Sequence, residues 1–210
     1  MHRYISDFIL DITQNSFEAN SSHVELFLNE ENRYLHVTVN DNGKGMTRDV
    51  LSKVLDPYYT DGIKHKDRKV GLGLPFLVQS VKESGGSFDI NSKPNEGTQV
   101  NCTFDLCNID TPPIGDLSST FLALYSNTKA KELVIRREIN TSKGSGYYEF
   151  SRSELLEILG DFTTVSSLCL LRDFLKSQED DLTQYYMERA LVFSNSKMEK
   201  NNGKNDIRWT

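Results

Sequence analysis

Residues 39–46 read VNDNGKGM: the end of an alternating run, then an acid, then two glycines one residue apart. Leu35, Val37 and Val39 alternate with polar residues, the period-two pattern of a half-buried strand, so Asp41 stands where that strand ends. The backbone beyond it, through Gly43 and Gly45, is backbone that glycine follows with least strain. A carboxylate held there can accept a hydrogen bond from the exocyclic amine of a flat purine, while the missing Cβ atoms let the ring approach. A lone D-x-G-x-G is more often an Asn-Gly turn with an Asp cap, so its surroundings decide between the two.

Upstream, HVELFLN (23–29) puts Val24, Leu26 and Leu28 on one side, and EENR joins it to YLHVTVN (34–40); the two runs predict a hairpin. Before them, Ile5, Phe8, Ile9 and Ile12 share one face of a helix over 4–18, and Asp7, Asp11, Asn15 and Glu18 form a polar stripe on the other. Downstream, Thr47 is an N-cap for a short helix carrying Val50, Leu51, Val54 and Leu55, which Pro57 ends. Residues 58–73 are rich in Gly, Lys and Asp without periodicity and read as a loop. Pro75 suits a first helical turn, and Phe76, Leu77 and Val81 continue as a buried stripe until SGG at 84–86. SFDINS and TQVNCTFDL, joined by KPNEG, form a second hairpin. The fold class is α/β: over residues 1–110, a sandwich with a mixed, largely antiparallel sheet and its helices on one face.

TPPIG at 111–115 forbids both helix and central strand, and marks a boundary. A small accessory α+β region over 114–190 follows: a helix near 116–126, the strands ELVIRREI and GYYEF, a helix opened by the capping box of Ser151 and Glu154, and a last helix from about 164 to 176, with an extension to 190 left open. The polar tail at 191–210 reads as disordered.

Composition excludes several classes. The formal charge of −6 argues against a general nucleic-acid binder. No apolar run long enough to cross a membrane and no signal-peptide pattern occurs, so a cytoplasmic location is expected. Cys102, Cys107 and Cys169 include no C-x-x-C pair and read as reduced, structural thiols.

VGLGLP places Gly71 and Gly73 just before a helix N-terminus, where free N–H groups and the helix dipole favour phosphate. Lys64, Lys66, Arg68 and Lys69 precede it, able to neutralise a triphosphate or simply to be solvated. An amide at Asn15 can bind Mg²⁺ through its oxygen.

In order and spacing these pieces resemble the GHKL ATPase superfamily, which includes DNA gyrase B subunits, heat-shock chaperones, sensor histidine kinases and MutL proteins. LDITQNSFEANSSHVEL looks like its N box, DNGKGM like its adenine-binding motif, DPYYTDG like the aromatic box before the lid, and VGLGLPFLVQSVKESGG with the later Gly-Thr like its glycine box and closing strand. The resemblance covers residues 5–106 and implies a Bergerat-type site. Asn15 would meet Mg²⁺ and phosphates, and Asp41 the adenine amine, with Gly43, Gly45, Met46 and Thr98 around the base. Gly71, Leu72, Gly73 and Leu74 would lie at the phosphates, with Lys64, Lys66, Arg68 and Lys69 closing from the lid.

In hydrolytic branches of that superfamily the general base is a Glu four residues before the N-box Asn; here Asp11 stands there, shorter by one methylene. Only a few residues precede the first helix, so autophosphorylation on a histidine hairpin is not expected. The chain reads as a small stand-alone Mg-ATP-binding protein: a nucleotide-dependent switch or weak ATPase acting on a protein partner, with a homodimer allowed and neither nucleic acid nor membrane involved. A protein kinase of the anti-sigma-factor type and a nucleotide-free scaffold are the alternatives.

Overall fold

The computed structural model describes residues 2–55, 73–142 and 144–202. In chain order the elements are α1 (Ile5–Glu18), β1 (Val24–Glu31), β2 (Tyr34–Asp41), α2 (Arg48–Val54), α3 (Gly73–Glu83), β3 (Ser87–Lys93), β4 (Gly97–Asp105), α4 (Leu117–Tyr125), β5 (Leu133–Thr141), β6 (Gly144–Ser151), α5 (Arg152–Leu159) and α6 (Val165–Asn202).

Alternation in the strands sets the register. Ile90, Val100, Val39, Leu26, Ile135 and Phe150 are successive Cα partners, so one apolar row crosses all six strands. The next row, Asp89, Asn101, Thr38, Phe27, Arg136 and Glu149, points to the other face. A slip of one residue in any strand would exchange the two rows, which is why burying one face specifies the pairing. The sheet order is β3-β4-β2-β1-β5-β6, antiparallel at every junction except the parallel pair β1–β5. The mixed, mostly antiparallel sandwich expected from sequence is therefore present. The strands of 133–151 continue that same sheet from the free edge of β1.

Helices supply the covering layer. Ile5, Phe8, Ile9 and Ile12 of α1, Leu77 and Val81 of α3, Leu117, Phe121 and Leu124 of α4, and Leu171, Leu175 and Leu182 of α6 join the strands in one buried cluster. Phe76 departs from expectation, being 43% exposed; adjacent helical positions lie about 100° apart, so with Leu77 inward Phe76 cannot share its face. α6 runs past residue 190 to Asn202, taking in part of the segment read as a tail. No Gly or Pro interrupts 162–202, and Gly203 is the first residue with low intrinsic helix propensity of that kind.

The Pro-rich boundary is tied down. Ile5 and Ser6 donate their N–H groups to the carbonyls of Pro113 and Ile114 at 2.9 and 2.8 Å, satisfying two donors that the first turn of α1 would otherwise leave open. The start of α1 is thus held by the segment that leads into the second half of the chain. None of the three cysteines is in a disulfide, and burial pushes the Cys102 thiol up to about 12. No described helix is long and apolar enough to cross a membrane.

Candidate functional site

β2 ends at Asp41, opposite Val24 of β1 and Thr98 of β4, with the residue 8% exposed. Its carboxylate is held from two sides: Oδ2 accepts from the Ser16 hydroxyl on α1, and Oδ1 from the Gly43 N–H, each at 2.8 Å. An ionised carboxylate has about four acceptor directions, so both oxygens keep capacity for another donor. Two rigid elements therefore aim a buried acceptor without exhausting it.

The backbone beside it is packed so closely that side chains are excluded. A Cβ on Gly45, whose φ is +57°, would fall 1.9 Å from the Lys93 carbonyl oxygen; one on Gly97, φ +110°, would fall 1.9 Å from the carbonyl oxygen of Asp41 itself. Gly97 lets β4 begin directly against the residue that carries the acid. Ser92 connects the same pieces: its Oγ accepts from the Met46 N–H at 2.9 Å, donates to the Gly97 carbonyl at 3.1 Å and lies 2.8 Å from Thr98 Oγ1. Asp41, Gly43, Gly45, Met46 and Thr98 are thereby brought together.

The polar stripe of α1 separates into distinct roles. Asp7 Oδ2 accepts from the N–H groups of Arg3 and Tyr4 at 2.8 and 3.1 Å and so caps its own helix. Glu18 pairs with Lys129 at 3.0 Å, across to the second half of the chain. Asn15 is exposed and its amide pairs with no described residue, leaving its oxygen open to a ligand. Asp11 faces α3: a Cβ on Gly73 would lie 3.2 Å from Asp11 Oδ2. The first residue of α3, where unpaired helical N–H groups gather, is thus in contact with the candidate base. Leu74 follows it, its side chain packed on the core. Gly71, Leu72 and the four basic residues Lys64, Lys66, Arg68 and Lys69 lie outside the described residues, as does most of the aromatic box.

No cluster of three or more His, Cys, Asp or Glu able to hold a metal occurs among the described residues. The exposed amide oxygen of Asn15 is a hard oxygen donor of the kind Mg²⁺ takes. An adenine fits the two-donor cradle of Asp41 on the same reasoning.

Ser16, Ser92 and His2 escaped the sequence reading. Ser16 falls four residues after Ile12, a hydroxyl inside the apolar stripe, and that was the available signal. Ser92 carried none, because its partners lie as far away as Met46.

These features define a class, the α/β sandwich in which a buried acid ends a strand beside a glycine-bearing turn. The chain belongs to the histidine kinase-, DNA gyrase B- and HSP90-like ATPase family, which matches residues 3–108. Sporulation kinase A of Bacillus subtilis is 26% identical over 102 residues, 48% of this chain and 16% of that protein. The sensor protein KdpD of Clostridium acetobutylicum is 29% identical over 97 residues, 44% of this chain and 11% of that protein. Sensor histidine kinase AtsR of Burkholderia thailandensis is 26% identical over 127 residues, 53% and 21%. The matched stretch is about a fifth or less of each relative's own length. Among solved structures, the catalytic domain of histidine kinase ThkA covers 50% of this chain and 66% of its own, at 20% identity and a TM-score of 0.38.

Proposed function

We propose that the protein binds Mg-ATP in this cleft and uses it as a switch, with slow hydrolysis, to change a surface that a partner protein reads. The observation that carries the reading is the Asp41 carboxylate, buried, fixed by Ser16 and Gly43, and still able to accept from an adenine amine. Asn15 would hold the Mg²⁺ ion, which supplies charge neutralisation at the phosphates. Gly71, Leu72, Gly73 and Leu74 would offer backbone N–H groups to the same phosphates. Lys64, Lys66, Arg68 and Lys69 would close over them, and bound nucleotide would thereby alter the surface the partner reads. Asp11, beside Gly73, is placed to take a proton from an attacking water.

The relatives named as kinases favour a second reading, transfer of the γ-phosphoryl group to a partner protein from the same site. ATP labelled at the γ-phosphorus separates the two: label in free phosphate supports the ATPase, and label on a protein supports the kinase. Titration calorimetry comes first. Binding of Mg-ATP by the parent and its loss in Asn15→Ala, with an unchanged circular dichroism spectrum, is expected; no heat with either protein would return the chain to the nucleotide-free scaffold.

A further inference from the structure

The residues ahead of α1 fold back on it, and His2 ends beside Asp11. Its Nε2 lies 2.6 Å from Asp11 Oδ2, while the ring stacks on Phe8 with centroids 4.5 Å apart and planes 13° from parallel. The His2 side chain is 19% exposed, and its Nδ1 is buried without a hydrogen-bond partner among the described residues. An ionised carboxylate only accepts, so the ring nitrogen facing it carries the proton. Nothing loose produces this arrangement. The Asp7 caps on Arg3 and Tyr4 and the bonds from Ile5 and Ser6 to Pro113 and Ile114 fix the backbone immediately after His2.

We propose that His2 is a positioning residue for Asp11 as general base, resting on the reading of the cleft as an ATPase site. The Asp11 side chain is 42% exposed, and alone it would turn freely among its rotamers. His2 takes Oδ2 and holds it over the N-terminus of α3, where it would touch a Cβ on Gly73. Oδ1 pairs with no described donor and is the oxygen left to accept a proton. In the step itself, water oxygen bonds to the γ-phosphorus as the bond to the β–γ bridging oxygen breaks; ADP leaves with that electron pair, and Asp11 Oδ1 takes the water proton. Asp11 stands one methylene shorter than a Glu, and a misplaced base is slow; a partner that fixes the shorter side chain answers that deficit. Nε2 is turned to Asp11 and Nδ1 is buried, so His2 acts through Asp11 and does not take the proton itself.

The test is steady-state ATP hydrolysis by the full chain with calorimetry beside it. His2→Ala should lower kcat about tenfold while KM and the calorimetric Kd for Mg-ATP stay within about twofold, the split expected when only transition-state positioning is lost. His2→Phe, which keeps the stack and loses the donor, should behave like His2→Ala. His2→Gln, which offers an amide N–H at similar reach, should recover much of the rate. In an Asp11→Asn background His2→Ala should cost nothing further. Parental kcat in both His2→Ala and His2→Phe overturns the proposal, as does a loss that His2→Gln fails to restore. A parent that binds Mg-ATP without hydrolysing it also overturns it and leaves the nucleotide site standing; absence of Mg-ATP binding removes the site reading itself.

Discussion

Arg137 on β5 closes onto Glu30 on β1 with both side chains out of water, 0% and 1% exposed. The guanidinium also donates to the Glu138 carbonyl at 2.8 Å, and its Nε lies 3.8 Å from Glu179 on α6. A charge pair this deep lies where the parallel β1–β5 junction joins the two halves of the sheet. Removing one partner should cost far more than removing both, because a lone buried carboxylate has neither water nor counter-charge. Arg137→Met is expected to lose about 3–5 kcal/mol in denaturant unfolding, and Glu30→Met with Arg137→Met to recover most of it. A double-variant loss equal to the sum of the Arg137→Met and Glu30→Met losses would show the pair is not coupled.

Glu179 predicts a pH effect of definite sign. Burial raises its carboxyl above the usual value, against the opposing pull of Arg137 and of the Tyr148 hydroxyl that donates to it. The folded form therefore holds this proton more tightly than the unfolded chain does. Its contribution is complete below the ordinary Glu value and is lost as pH rises through the raised one. The difference in Tm between the parent and Glu179→Gln should shift in favour of Gln as pH goes from about 4.5 to about 7. A difference that stays flat across that window would remove Glu179 as the titrating group.

Gly97→Ala should damage stability and nucleotide binding together. Its φ of +110° suits no side chain, and the new Cβ would meet the Asp41 carbonyl oxygen at 1.9 Å. Strain of this kind costs about 1–3 kcal/mol even before the clash. Thermal melts should show the loss, and calorimetry should show weakened Mg-ATP binding, because relief requires moving β4 away from the strand end that carries Asp41. Parental affinity in a destabilised Gly97→Ala would mean the acid and β4 move independently.

On the proposed reading of the cleft, base selectivity would rest on Asp41. An ionised carboxylate accepts from the adenine amine and meets the guanine carbonyl acceptor to acceptor, a mismatch worth about 1–3 kcal/mol when buried. ATP should bind at least about tenfold more tightly than GTP. Asp41→Asn keeps the volume and offers an amide donor, so affinity for ATP should fall and the preference narrow, as read by competition binding. Indifference of the parent protein to the two bases would place base recognition elsewhere.

Local pattern was enough for the layers of this protein. Leu26, Val39 and Val100 were readable as one buried row because alternation is a property of consecutive residues, and Asp41 was readable because a strand period stops at an acid followed by two glycines. Capping at Thr47 and Ser151 was legible for the same reason, since a cap and its partners lie within three residues. Long-range choices were not. Ser16 reaches Asp41 across 25 positions, Met46 reaches Ser92 across 46, and Arg137 reaches Glu30 across 107. The stripe of Asp7, Asp11, Asn15 and Glu18 looks uniform along the helix, yet neighbours brought by the fold send one to a cap, one to His2 and one to Lys129, and leave Asn15 open. Sequence alone determined which residues could be buried and where a carboxylate would stand; only the tertiary structure decided which polar groups meet, because a hydrogen bond needs its two atoms within about 3 Å, a condition that periodicity along the chain does not encode.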